Sequence, residues 1–278
     1  MRRVFIFLCM GLALHCLSGC AHFSKPPPEN KPRQAAEGVL VDGMPVGLLT
    51  AGEIRELVYL QGSTRGREPV NAGFNSETLG ITPEQKGFVI DVEATVQRIL
   101  DAPANSTVLP VQLVKEPFIK ETNLHNSLLI GKAETPLLDK GQARMHNVKR
   151  AAQAITNAYV LPGGTFSFNS AIGNPTVDRG YMLAPIIENG QRILGEGGGV
   201  CQISSTLYAA ALDAYLPIVE RHMHSIPVNY IPVGMDATTS DDKDFKFRNN
   251  RQNVLILHIL VTSDNVKANI WEYVEGNG

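Results

Sequence analysis

One thiol in this sequence stands where a nucleophile would be made. Cys201 follows Gly195-Glu196-Gly197-Gly198-Gly199-Val200 and opens the run Gln202-Ile203-Ser204-Ser205-Thr206-Leu207-Tyr208. Consecutive glycines reach backbone conformations closed to other residues and let a second group approach closely. Downstream, Ile203, Leu207, Ala210, Ala211 and Tyr215 recur at spacings of three and four, which predicts a helix with one apolar face. Cys201 then sits in the first helical turn, where unpaired N–H groups and the positive end of the helix dipole favour thiolate over thiol. That is the environment of an activated nucleophile. The same residues also fit a tightly packed glycine loop with a small buried cysteine behind it, and both readings stand at this point.

The N-terminus bears on the choice. Arg2 and Arg3 precede the apolar run Val4 to Leu17, which is short for a membrane span and reads as an export signal. The signal ends in Leu17-Ser18-Gly19-Cys20, similar to a bacterial lipobox, in which the cysteine is lipidated and becomes the new N-terminus. The four cysteines are Cys9, Cys16, Cys20 and Cys201. Two would leave with the signal (residues 1–20) and Cys20 would carry the lipid, so Cys201 is the one thiol expected in the mature chain. An unpaired cysteine outside the cytosol is either intermolecular or reactive. The expected location is the cell envelope, with the chain lipid-anchored to a membrane and facing the wall or periplasm. The formal net charge of −2 excludes an electrostatic case for nucleic acid and leaves the lipid as the membrane tether.

The elements that must position Cys201 follow from patterning along the 278 residues. Residues 21–38 are polar and proline-rich, a semi-extended linker. Residues 39–115 read as a small α+β domain. Asp42-Gly43 marks a hairpin between Val39-Leu40-Val41 and Val46–Leu49, Ala51–Leu60 a helix, Phe88–Ile90 a strand, Asp91 a helix cap, and Val108–Leu113 a closing strand. Ala143–Tyr159 is a helix with Val148, Ala151, Ala152, Ile155 and Tyr159 on one face, stopped by Pro162-Gly163-Gly164. Phe166–Asn169 and Asp244–Arg248 alternate like strands. Val254–Val261 and Val266–Val274 form a hairpin about Ser263-Asp264-Asn265. The fold class expected is α+β in two domains, the second spanning 140–275 with helices followed by an antiparallel sheet.

Several of these segments together resemble the VanW family. They are Arg144…Asn147, Pro162–Asn169, Gly173, Gly180-Tyr181, Ala184-Pro185, Gly197–Tyr208, Glu220-Arg221…His224-Ser225, Val228…Tyr230…Pro232…Gly234…Asp236-Ala237 and Asp244-Phe245…Phe247…Asn249. Ala209 departs from the asparagine frequent there in the family. Ile81–Leu113 resembles the peptidoglycan-binding domain that often precedes this one. The resemblance implies cell-wall work: L,D-transpeptidase-like acyl transfer through the central cysteine, on peptidoglycan stem peptides. The alternative is a non-catalytic module that binds peptidoglycan or a partner.

Roles follow from that resemblance. Cys201 is the implied nucleophile and His224, within the family motif, its base. His222 would line the same cleft if the segment is a strand, or serve as a structural hydrogen-bond donor. Asp236 or Asp244 would orient the imidazole, as a third group does in a triad. Arg221 would hold a stem carboxylate bidentately, unless it pairs with Glu220 or another acid. Gln202, Ser205, Gly198 and Gly199 would contact substrate, and Tyr208 belongs to the core. A metal site would use Cys201, His222, His224 and Asp236. That is loose spacing without a paired Cys-x-x-Cys, so neither metal nor cofactor is expected.

Overall fold

The structure is a computed structural model that describes residues 32–78, 80–188 and 190–275. The export signal, the lipobox with Cys20 and most of the linker lie outside the described residues. The fold is α+β, with six α-helices among the described residues and sheets that are antiparallel apart from one short pairing.

The first part is held by local signals. Strands β1 (Leu40–Val41) and β2 (Met44–Pro45) pair about Asp42-Gly43, whose positive φ angles of 48° and 84° are those of a tight hairpin turn. Helix α1 (Ala51–Arg65) runs longer than its pattern predicted. Its cap is reciprocal: Thr50 accepts from the Glu53 N–H while the Glu53 carboxylate accepts from the Thr50 N–H. The small pair β3 (Gly73–Phe74) and β4 (Ile81–Thr82) follows. Strand β5 (Gly87–Ile90) leads to α2 (Val92–Leu100), whose N–H at Ala94 is capped by Asp91. The single closing strand expected over Val108–Leu113 is two strands. β6 (Thr107–Val108) pairs parallel with β1, and β7 (Gln112–Lys115) pairs with β5. Pro110 lies between them, where it can donate no ladder bond. Helices α1 and α2 enclose a core of Val39, Val41, Ile54, Val58, Val96 and Ile99.

After the short helix α3 (Glu121–His125) comes β8 (Leu128–Pro136), then α4 (Gln142–Ile155). Helix α4 ends before the expected Tyr159, because Asn157 turns left-handed at φ 70° and Tyr159–Val160 joins a sheet as β9. Strand β10 (Thr165–Ser167) passes at once into the short helix α5 (Phe168–Ile172), since Ser167 caps it through the Ser170 N–H. Strands β11 (Leu183–Glu188) and β12 (Gln191–Glu196) form a hairpin that the pattern did not reveal. Helix α6 (Val200–Asp213) carries the thiol. β13 (Ile218–Glu220), β14 (Lys246–Arg248) and β10 form one sheet. β15 (Leu255–Val261) and β16 (Asn265–Glu272) complete another, in the antiparallel order β8-β16-β15-β9. Helix α6 packs on β8 and β16, and α4 on β15.

Strand β15 reads Leu-Ile-Leu-His-Ile-Leu-Val and is buried throughout. A run apolar at every position is covered on both faces. Leu255, Leu257 and Ile259 join the helices in the main core. Ile256 turns to the other face, among Ala72, Phe74, Ile119 and Tyr273. There Phe74 stacks on His258 (centroids 4.9 Å apart) and on Trp271 (5.2 Å). Residues of the expected 39–115 unit thus cover one face of the sheet, and that sheet takes β8 from before residue 140.

Helix α6 buries Ile203, Leu207, Ala210 and Ala211 as its spacing predicted, but Tyr215 is 85% exposed. The helix has ended by then: Tyr215 is left-handed at φ 55°, and Leu216 takes the inward place. The opposite face is buried too, with every polar group bonded. Thr206 Oγ1 lies 2.8 Å from Thr135 Oγ1, and Ser204 and Ser205 both donate to the Ala237 carbonyl.

Where β13 meets β14, the Glu220 carboxylate accepts from Lys246 Nζ (2.7 Å), the Asp244 N–H (2.9 Å) and His222 Nε2 (3.0 Å). Lys246, then the Asp244 amide, hold its pKa down to about 2. Its unfolded value is about 4.3, so the charged form stabilises the fold above that pH and the contribution is lost as pH falls toward 2. Glu220→Gln is therefore expected to lower Tm by a few degrees at neutral pH. The difference from the parent should shrink as acid protonates Glu220, which thermal melts across pH 2–7 would follow. A difference constant with pH would point to shape rather than charge.

Candidate active site

The glycine turn before Cys201 is set by its neighbours. Gly197 and Gly199 have φ of 66° and 107°, and a Cβ on Gly198 would lie 2.7 Å from the Ala184 and Pro185 backbones. Only glycines fit there. From α4, the buried Asn147 amide donates to the Gly198 carbonyl (3.1 Å) and the Met182 carbonyl (2.8 Å), while its oxygen accepts the Met182 N–H (2.7 Å). One side chain thus locks the turn to the start of β11. The Val200 N–H bonds Gly197 O and the Gln202 N–H bonds Gly199 O. The Cys201 N–H between them has no acceptor among the described residues, as expected of a first-turn donor.

Cys201 Sγ lies 3.7 Å from Thr238 Oγ1 and 3.7 Å from the Thr239 carbonyl oxygen. His224 is its charged neighbour. The imidazole is 7% exposed and its Nδ1 lies 2.7 Å from Asp236 Oδ2, which also accepts the His224 N–H at 2.7 Å. An ionised carboxylate only accepts, so Nδ1 carries a proton and Nε2 is the ring nitrogen left for the thiol. Burial pushes the Cys201 thiol up, but the hydrogen bond and charge of His224 outweigh it, with smaller help from Thr239 and Thr238, and bring the pKa down to about 7. Burial likewise works against charge on His224, and Cys201, then Asp236, raise it above its ordinary value. Asp236 is 10% exposed; burial opposes its charge, and the His224 hydrogen bonds lower its pKa nonetheless. The three form a line in which a thiolate–imidazolium pair is held near neutral pH.

This makes a measurable difference. The alkylation rate of Cys201 by iodoacetamide is expected to rise with a midpoint of about 7, against about 8.5 for an ordinary thiol. His224→Gln removes the main lowering influence and should move the midpoint back up. An unmoved midpoint would take His224 out of the thiol's environment.

The line opens on a cleft of about 1140 Å³ whose walls include Arg144, Ile186, Arg192, Cys201, His224 and Tyr230. Gly198, Gly199 and Gln202 also face it. Gln202 is anchored by its amide to Thr135 Oγ1 (3.1 Å) and the Pro136 carbonyl (2.9 Å). Ser205 is fully buried and spends its hydroxyl on the Cys201 and Ala237 carbonyls and the Ala237 N–H. It positions the Asp236-Ala237 segment against α6 and does not reach the cleft wall.

His222 does not share the cleft with His224. Its ring turns to Glu220, and its carbonyl accepts the Thr238 N–H, holding the segment beside Cys201. Arg221 is likewise spent inside the protein. It donates to the Asp236 carbonyl (2.7 Å), the Gly234 carbonyl (2.8 Å) and Asp236 Oδ1 (3.4 Å), and lies over the Tyr208 ring at 5.0 Å. Of the two candidate acids, Asp236 meets the histidine. Asp244 accepts from Ser167 Oγ and the Asn169 and Phe245 N–H groups, a brace at the corner where β10 passes into α5. Among the described residues no three His, Cys, Asp or Glu side chains converge as a metal site would require.

Thr238, Thr239, Tyr230 and Arg144 are the residues that sequence reasoning passed over. Tyr230 and Arg144 belonged to the matched segments but suggested no role. Burial first, then the Cys201 charge, raises the Tyr230 phenol above its ordinary range, so it stays a neutral donor beside the thiol.

A family model described as VanW like protein matches residues 143–271. The chain is 35% identical over 198 residues to the protein named "Uncharacterized protein YoaR" of Bacillus subtilis, covering 69% of this chain and 65% of that one. It is 32% identical over 130 residues to the "Vancomycin B-type resistance protein VanW" of Enterococcus faecalis, covering 45% of this chain and 46% of that one. The chain therefore spans less than two thirds of the length of either relative. No solved structure matches it. Residues 143–271, where the chain matches the VanW family model, hold every member of the Cys201–His224–Asp236 line and most of the cleft, so the likeness to that family lies in the part of the chain that carries the site.

Proposed function

We propose that this protein acts on peptidoglycan by cysteine-dependent acyl transfer, in the manner of an L,D-transpeptidase. The observation that carries the reading is the Cys201–His224–Asp236 line, with a thiol pKa of about 7, in the wall of a large cleft. The name of the Enterococcus relative, a vancomycin resistance protein, supports the cell wall as the place of work.

The Cys201 thiolate attacks the carbonyl between the third and fourth stem residues. The tetrahedral oxyanion takes the free Cys201 N–H at the start of α6. As the C–N bond breaks, the His224 imidazolium protonates the departing D-alanine amine, leaving a thioester. An amine from a neighbouring stem then attacks the thioester and gives its proton to His224, and the thiolate departs. Asp236 holds the ring in place through both steps. Gln202, Gly198 and Gly199 shape the wall beside the reacting carbonyl.

In the same reading, residues 39–115 present the wall polymer to the cleft, and lipid on Cys20 keeps the chain at the membrane in the cell envelope. No helix among the described residues is long and apolar enough to cross a membrane. The test is the intact mass of the purified protein after incubation with tetrapeptide muropeptides, beside Cys201→Ala. A stem-sized adduct on the parent alone supports the reading, and cross-linked products name the reaction. A folded, reduced parent with neither adduct nor product would turn the assignment to a peptidoglycan-binding module.

A further inference from the structure

The cleft holds a cation, Arg144, with which no acid among the described residues forms an ion pair. Arg144 stands in the first turn of α4, and its stem lies against the glycine turn, where a Cβ on Gly199 would come 3.0 Å from Arg144 Cγ. Its Nη2 donates to Gln202 Oε1 at 3.0 Å. That oxygen is turned toward it because the amide nitrogen of Gln202 is committed to Thr135 and Pro136. Arg144 Nε is buried and has no partner among the described residues. Among the described residues no carboxylate is paired with this guanidinium, although Arg221 is paired with Asp236 and the exposed Arg55 with Glu93. A guanidinium cannot shed its charge, and a buried donor without an acceptor is costly. Four acids also line the cleft, Asp139, Glu196, Asp241 and Asp242, and none of them forms an ion pair with Arg144; three have partners of their own. Glu196 accepts the Val177 N–H, Asp139 the Gly141 N–H, and Asp242 the Ser240 hydroxyl.

We propose that Arg144 receives the free C-terminal carboxylate of the stem peptide and so determines which stems are used. The inference rests on the acyl-transfer reading. Arg144 touches Gly199 and Gln202, the residues on either side of the Val200-Cys201 step. A carboxylate one residue beyond the attacked carbonyl would sit beside the nucleophile, within reach of the guanidinium N–H groups that Gln202 does not take. Bidentate pairing of guanidinium with carboxylate is geometrically selective as well as strong. The site would then favour a stem that ends one residue after the scissile bond over one that is amidated there. Arg144 fills the role that the resemblance implied for Arg221.

The test is equilibrium binding, measured by calorimetry, of two synthetic tetrapeptide stems: one with a free C-terminal acid and one with a C-terminal amide. The protein carries Cys201→Ala to prevent turnover. With Arg144 present the acid should bind about tenfold or more tighter than the amide. With Arg144→Gln added the preference should vanish, and with Arg144→Lys it should survive in part. Equal binding of acid and amide to the Cys201→Ala protein, or no binding of either, overturns the proposal, as does a preference that survives Arg144→Gln. Should Arg144→Gln fail to fold, the acid-to-amide ratio with Arg144 and with Arg144→Lys decides. Acid selectivity without any adduct on the parent protein would keep the carboxylate site and remove the catalysis.

Discussion

Cys201→Ala should abolish both stem-peptide turnover and the covalent adduct while leaving the fold intact. Removing the nucleophile of a hydrolase that works through a covalent intermediate costs on the order of 10⁶ in rate, and the remaining members of the line recover almost none of it. The effect on stability is expected to be small for a local reason. The sulfur's contacts with Thr238 and the Thr239 carbonyl are long, at 3.7 Å, and the helix it begins is held by Ile203, Leu207 and Thr206 on other faces. Product analysis on digested sacculi and a thermal melt of the same preparation read the two halves of this expectation. Cys201→Ser should fail almost as fully. A hydroxyl beside His224 lacks the acidity that gives the thiol its thiolate near neutral pH. Turnover retained by Cys201→Ala would remove the thiol from the chemistry.

Asp236 carries the second large effect, and two substitutions separate its duties. Its carboxylate accepts from the His224 ring, the His224 N–H and Arg221, at 10% exposure. Asp236→Ala leaves the Arg221 charge and the His224 donors without their acceptor. Breaking a buried pair on one side costs about 3–5 kcal/mol, so a clear loss of stability in urea is expected. Asp236→Asn keeps the volume and one accepting oxygen. Its amide can, however, present a donor to Nδ1 and favour the tautomer that points the wrong nitrogen at the thiol. An aspartate-to-asparagine change of this kind drops turnover on the order of 10⁴-fold in a serine triad. Asp236→Asn should therefore stay folded, lose most of its turnover, and show a Cys201 alkylation midpoint displaced upward. A folded Asp236→Asn protein with the parental rate and midpoint would reduce Asp236 to a structural brace.

How much of this was legible in the sequence follows the range of the interactions involved. The Asp42-Gly43 turn, the Asp91 cap, the α6 apolar spacing and the β15–β16 hairpin depend on residues a few positions apart and stand where the patterns put them, although the strand after the turn is Met44–Pro45 and not the expected Val46–Leu49, because a two-residue turn pairs the residues next to it. Errors arose where a competing contact came from afar. The helix expected to reach Tyr159 stops because β15 takes Tyr159–Val160 as a strand partner. Tyr215 kept the helical spacing but not the helix. The all-buried β15 looked like an ordinary strand, and nothing local said that Phe74 and Ile119 would cover its second face.

The candidate site divides along the same line. The sequence by itself determined that Cys201 opens a helix after a glycine turn, because glycine's conformational freedom and helical periodicity act over one or two turns of chain. It also narrowed the base and its orienting acid to a few residues within the matched segments. Tertiary structure alone decided that Asp236 rather than Asp244 meets His224, that His222 turns to Glu220, that Ser205 is a brace, and that Arg221 is consumed while Arg144 is left facing the cleft. The physical reason is the same in each case. A charge's role is set by which opposite charge or buried amide lies within about 3 Å of it, and that pairing is made by elements brought together only when the core closes.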